Sequence, residues 1–329
     1  MLLPAHQQVP EMSTPGANIK HSIFSLVFIT FVYIGVLFVM DMRKNIFSEL
    51  LTLSSILPAA MTISFLSYVV RYFRWHWLLK RAGHALPAGQ GFLAYLSGFA
   101  LTATPGKIGE LLRIRYFSRL GVRHQLVISA FIYERAFDLI VVLLIALLAA
   151  VQLGAFPLIS SFVLLVIAAV FLFSRNPSWL VYITAKLRSY HFRKLSKLVK
   201  ALKDGLQGIH LWFSLPDICV SFALGLMAWL LASYAFVWLL NNLGLDIPAL
   251  SALAIYPISM LIGAASMLPG GVGSTEAAIV VLLTALDTPL TIATVAAIGI
   301  RISSLWFSII CGLLAMSILE YKNTCNTLR

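Results

Sequence analysis

The chain has 329 residues, 60% of them hydrophobic and 11% charged, with a mean hydropathy of +0.93 and a formal net charge of +12. That balance excludes an ordinary water-soluble domain and points to an all-α, multi-pass membrane protein. Cys219, Cys311 and Cys325 form no CxxC pair and the seven histidines form no HxxxH pair, so a disulfide framework, a metal site and a cofactor are not expected.

Residues 1–21 are a polar, proline-bearing lead, expected in the cytoplasm. Residues 22–40 carry no charge and are long enough, at about 1.5 Å per residue, to cross a hydrocarbon core of roughly 30 Å. No small-x-small cleavage site follows them, so a retained span is expected rather than a cleaved signal peptide. Further spans are predicted at 56–79, 137–153, 157–173, 218–240 and 291–319. Two apolar stretches, 91–104 and 276–287, would reach only about 21 and 18 Å as helix, too short to cross. Residues 250–268 are long enough for a further crossing.

Each short stretch adjoins one copy of a repeated motif. Residues 104–110 read TPGKIGE and residues 268–276 read LPGGVGSTE. In both copies the Glu is followed 25 residues later by an Arg inside an apolar run, pairing Glu110 with Arg135 and Glu276 with Arg301. Proline and glycine break helices, and broken helices persist at membrane depth only where protein or a water-filled cavity satisfies the freed backbone groups. Pro105, Gly106 and Gly109, with Pro269, Gly270, Gly271 and Gly273, are therefore the expected helix breaks and candidate gates. Lys107 stands where the second copy has Gly271, and is expected to be an interfacial anchor.

Positive charge collects in cytoplasmic loops. Arg71, Arg74, Lys80 and Arg81, then Arg113, Arg115, Arg119 and Arg123, and then the basic loop at 175–217 fall on one side if both termini are cytoplasmic and each short stretch dips in and returns. Repeat one, about 55–153, and repeat two, about 218–319, are then inverted relative to one another, and residues 320–329 form a cytoplasmic tail. In the basic loop, Leu195, Leu198, Val199 and Leu202 share one helical face opposite lysines, which suits a helix lying on an anionic leaflet. Positive-inside topology accounts for the net charge, so nucleic acid is not an expected partner.

Glu134, Arg135 and Asp138 interrupt a third apolar run. If the run is helical, Glu134 and Asp138 share a face and Arg135 can touch Asp138. Charges at a helix centre cost roughly 2.5 to 3.5 kcal/mol on insertion scales, so they face a bundle interior, pair, or line a pathway. A buried salt-bridge network and a functional role both remain open for Glu134 and Asp138. Arg301 has no acid near it in sequence, so its partner must come from the fold, with Glu276 and Glu110 as candidates, or from a substrate. A guanidinium offers a planar fork suited to phosphate, and Arg135 and Arg301 are the candidate headgroup ligands.

TPGKIGELLR, the later ERAFD, and LPGGVGSTEAA followed by GIR resemble the lysylphosphatidylglycerol synthase transmembrane-region family, also described as flippase-like integral membrane proteins. The resemblance spans roughly residues 22–320 and implies the moving or handling of a lipid between leaflets of a bacterial cytoplasmic membrane. Synthase members carry an additional soluble domain that attaches lysine; this chain ends at Arg329 with a short polar tail, so lysyl transfer is not expected. The leading expectation is a translocator of an anionic or phosphate-bearing lipid. In it Arg135 and Arg301 bind the headgroup, and Glu110 and Glu276 hold those arginines or carry coupling protons. No Walker A motif supports direct ATP driving. The alternatives are an intramembrane headgroup-modifying enzyme, for which no complete catalytic constellation is visible, and a non-catalytic partner of a separate lipid synthase.

Overall fold

The computed structural model of the protein describes residues 53–150, 203, 205–206 and 208–327. The predicted spans at 22–40 and 157–173, the lead 1–21, and Leu195, Leu198, Val199 and Leu202 of the basic loop lie outside the described residues. Every regular element among those described is helical.

Helix α1 (Leu57–Arg81) places Pro58 in its first turn, where the missing N–H has no intrahelical partner to lose. Helix α2 (Ala88–Ser97) tightens into a 3-10 turn at Gly98–Leu101, and after a break a second 3-10 stretch, Pro105–Leu112, leads into α3 (Arg113–Arg119). Helix α4 is His124–Ala150. The second half contains α5 (Leu215–Asn242), α6 (Ala249–Ala265), the turn Pro269–Gly271 and α7 (Ser274–Thr284). Helix α8 (Leu290–Arg301) then runs through a π-helical turn, Ile302–Trp306, into α9 (Phe307–Thr327).

Two described helices are long and apolar enough to cross a membrane: α5 with 28 residues, and the continuous stretch Leu290–Cys325 with 36. They cover the spans predicted at 218–240 and 291–319. Helices α1 and α4 have 25 and 27 residues, enough length to cross, but carry charge along the way. Residues 137–150 of the span predicted at 137–153 belong to a longer helix. Helix α4 begins at His124 and runs unbroken through Glu134, Arg135 and Asp138, because those side chains are paired and need no loop. Helices α2 and α7, with 10 and 11 residues, span about 15 to 17 Å and cannot cross. Helix α6, with 17 residues, reaches about 26 Å, so the further crossing considered for 250–268 falls short of a 30 Å core as a straight helix. Residues 320–327, expected as a tail, continue α9, where Glu320 pairs with Arg115 at 3.0 Å and Arg119 at 3.4 Å.

Helices α1 and α5 pack antiparallel. Arg81 near the end of α1 bonds Asp217 at the start of α5, the Arg74 guanidinium lies against Gly225, and Ser67 donates to the Ala228 carbonyl. The halves also exchange partners. Helix α2 packs against α9 of the second half, and α6 packs against α4 of the first. The two motif turns meet in the middle, where Gly270 faces Ala103, and Ala103 packs with Leu305 and Ile309.

Two larger cores flank that junction. One joins α5 to α8 through Phe236, Leu239, Ile255, Ile279 and Ile298, and the other is aromatic, with Trp75, Tyr95, Phe117, Tyr133 and Trp212. Helix α4 contributes to both, Val127, Ala130 and Tyr133 to the aromatic core and Val141, Val142 and Ile145 to the other. Its charged triplet therefore sits at the boundary.

Candidate functional site

Asp138 and Glu134, one turn apart on α4, gather arginines from three elements. Arg71 of α1 reaches Asp138 at 2.7 Å. Arg74, one turn further on, reaches Asp138 at 2.7 Å and Glu134 at 3.2 Å. Arg135 contacts Glu134 at 3.4 Å and Asp138 at 3.2 Å, as the three-residue spacing predicts. Arg113 of α3 bonds Glu110 at 2.8 Å and reaches Glu134 at 3.4 Å, while its guanidinium lies over the rings of Tyr95 and Trp75 at 4.5 and 4.9 Å. Tyr95 adds a hydroxyl to Glu134 at 2.7 Å. A desolvated guanidinium between aromatic faces gains cation–π attraction of about 2 kcal/mol, which offsets part of its burial.

The backbone makes room for these groups. At Gly98 a Cβ would lie 2.5 Å from Arg113 Nε, and at Gly225 a Cβ would lie 2.7 Å from an Arg74 terminal nitrogen. Only glycine leaves the guanidinium its place.

The second copy is sparser. Glu276 sits in the first turn of α7, where one carboxylate oxygen accepts the Gly273 N–H at 2.8 Å, capping the helix. Its other oxygen accepts from Arg301 Nε at 2.9 Å, and Arg301 also donates to the Gly270 carbonyl at 2.6 Å. Arg301 thus ties the end of α8 to the motif turn. Gly270, Gly271 and Gly273 have φ of 64°, 64° and 85°, left-handed values that only glycine adopts freely.

Several expectations need correction. Glu110 holds Arg113, not Arg135: the 3-10 turn puts Arg113 within reach, and Thr102 donates to the remaining Glu110 oxygen at 2.9 Å. Arg71, Arg74 and Arg113, assigned to cytoplasmic loops, are instead parts of the ion network, and Arg74 and Arg113 are fully buried. Lys80, Arg81, Arg115, Arg119 and Arg123 are exposed. Lys107, expected as an interfacial anchor, lines two cavities of the fold. Its φ of 56° matches the 64° of Gly271, the residue it replaces in the repeat. A non-glycine residue in that conformation costs about 1 to 2 kcal/mol.

A cavity of about 100 Å³ lies where the halves meet, and Glu110, Arg135 and Arg301 all line it, together with Arg71 and Lys107. Glu276 is not on its wall but holds Arg301 from behind. Hydroxyls from Ser64, Ser67, Tyr68, Thr102, Ser304 and Ser308 complete a polar lining. Around it stand six basic side chains, Arg71, Arg74, Lys107, Arg113, Arg135 and Arg301, against four acids, Glu110, Glu134, Asp138 and Glu276. In a low-dielectric setting an excess of two cations favours an anion.

The profile of the family described as lysylphosphatidylglycerol synthase TM region matches residues 22–312. The chain belongs to this family. Membership makes the protein an integral membrane protein with a lipid-related function, and it places both Pro-Gly motifs and both charged helices inside the family region. A comparison with curated proteins finds no match.

Proposed function

We propose that the protein translocates a polar-headgroup lipid, anionic or phosphate-bearing, between the leaflets of its membrane. The observation that carries this reading is the polar cavity between the two motif turns, walled by residues from both halves and richer in cations than in acids. Helices too short to cross approach it from each half, and the antiparallel packing of α1 on α5 supports an inverted arrangement of the repeats. In secondary transporters, inverted repeats with broken helices build alternating access around a midplane site. In this reading Arg301 alternates between the Gly270 carbonyl and the headgroup, with Glu276 keeping its orientation, and the glycine turn moves as the contact is exchanged. The first network stays fixed and presents Arg135. The chain then acts as a transporter rather than an enzyme, in a bacterial cytoplasmic membrane with both termini inside.

Purified protein in liposomes containing a fluorescent phosphatidylglycerol tests the proposal. Dithionite quenching is expected to report faster leaflet exchange with wild type than with empty liposomes, and Arg301→Ala is expected to lose most of the gain. Exchange equal to empty liposomes, or unchanged in Arg301→Ala, overturns it. A change in total lipid species in cells lacking the protein, with leaflet exposure unaltered, would favour headgroup modification.

A further inference from the structure

A second cavity, of about 290 Å³, adjoins the polar one and shares Lys107, Arg135, Trp229, Met260 and Gly270 with it. Its remaining wall is mainly apolar, with Leu139, Val142, Leu261, Ala264 and Leu268. The two spaces form one site with a polar and an apolar end, the shape an amphiphile requires.

Hydrogen-bond donors at the junction lack acceptors. Arg135 Nε and Trp229 Nε1 are buried without a partner, and both residues line both chambers. Lys107 is in no salt bridge with a described residue, although every other basic group around the polar cavity has a carboxylate partner. The acids on these walls are engaged: Glu110 by Arg113 and Thr102, and Asp138 by Arg71, Arg74 and Arg135. Buried donors without acceptors also occur at Arg74 and Trp75, away from the junction, so the ammonium of Lys107, in no salt bridge and on the wall of both chambers, is the feature that points to an anionic ligand. An ammonium and a guanidinium on the wall shared by the two chambers suit an oxyanion better than a carbonyl or a cation.

We infer that Lys107 is the specificity-determining residue of this two-chambered site, receiving the phosphate of a lipid with net negative charge while the apolar chamber takes the lipid's first acyl carbons. The inference rests on the translocation reading only in taking the occupant to be a lipid. Net charge enters because a zwitterionic headgroup would bring its own ammonium among the cations already lining the chamber. The first motif keeps a lysine in a left-handed backbone position that the second copy gives to glycine, so the asymmetry between the copies is the selectivity element.

Calorimetric binding of dihexanoyl phosphatidylglycerol, dihexanoyl phosphatidylcholine and inorganic phosphate to the full chain in detergent tests this. Wild type is expected to prefer phosphatidylglycerol over phosphatidylcholine by about tenfold or more, the scale of one like-charge contact between the choline ammonium and the cations of the chamber. Lys107→Gln is expected to abolish the preference and Lys107→Arg to retain it, with thermal midpoints recorded for each. Lys107→Gly, which adopts the backbone freely, replaces any variant that fails to fold and is expected to lose the preference as well. An undiminished preference in Lys107→Gln or Lys107→Gly overturns the inference. Inorganic phosphate binding as tightly as phosphatidylglycerol overturns its lipid half. Failure of translocation is separable: Lys107-dependent binding in detergent without leaflet exchange in liposomes removes the transporter reading and leaves the selectivity assignment standing.

Discussion

The two Pro-Gly motifs begin with the same residues and end in different electrostatic settings. In the first, Glu110 joins a network in which Arg71, Arg74, Arg113 and Arg135 share Glu110, Glu134 and Asp138, most of it buried and packed on aromatic rings. In the second, one acid, Glu276, holds one base, Arg301, whose other guanidinium contacts are the Gly270 carbonyl in the glycine turn and the Met260 sulfur. A network with several partners per charge resists rearrangement, whereas a single pair against a three-glycine turn needs only one contact exchanged. The first motif is thus built as a fixed wall and the second as the moving part.

The largest expected effect that separates them is on stability. Glu134→Gln removes one carboxylate partner from each of three arginines, on α1, α3 and α4, and is expected to cost about 3 to 5 kcal/mol, the scale of breaking a buried pair. Glu276→Gln, partly exposed and still able to cap α7, is expected to cost about 1 to 3 kcal/mol. Detergent unfolding midpoints for the two variants decide the matter, and equal losses would mean that the copies are not mechanically different. Next comes Gly225→Ala, whose methyl would meet the Arg74 guanidinium and cost about 1 to 3 kcal/mol without changing any charge. If its midpoint matches wild type, the wall is softer than described. The smallest effect has the opposite sign: Lys107→Gly should raise the midpoint by an amount corresponding to about 1 kcal/mol, by relieving the left-handed backbone. A drop instead would mean that the lysine side chain stabilises the fold.

Much of this was legible in the sequence. The repeated motif, the charges 25 residues downstream and the two stretches too short to cross led to the helix breaks at 98–112 and 266–273, and to Glu276 as one of two candidate partners for Arg301. The network around Glu134 was not legible, because its bonds join residues 60 and 64 positions apart, such as Arg74 to Glu134 and Arg74 to Asp138. Charge-based topology then misassigned its cations. Two signals were nonetheless present. Arg71 and Arg74 lie one turn apart within the predicted span 56–79, which a loop assignment contradicts, and Arg113 follows Glu110 at a spacing that lets them touch. For Lys107 the sequence offers only the comparison with its glycine counterpart, Gly271. Its place at the junction of two cavities depends on the meeting of the motif turns, which no local pattern encodes.

The central claim, that a lipid headgroup passes through the polar cavity between the motifs, is tested most directly at Ser64, a buried residue on its wall. In a background with Cys219, Cys311 and Cys325 replaced by serine, Ser64→Cys is labelled in liposomes with a negatively or a positively charged methanethiosulfonate. The account predicts faster labelling by the negative reagent, slowing when anionic lipid is present, and loss of leaflet exchange once the cysteine is modified. Unchanged exchange in fully modified protein would contradict it.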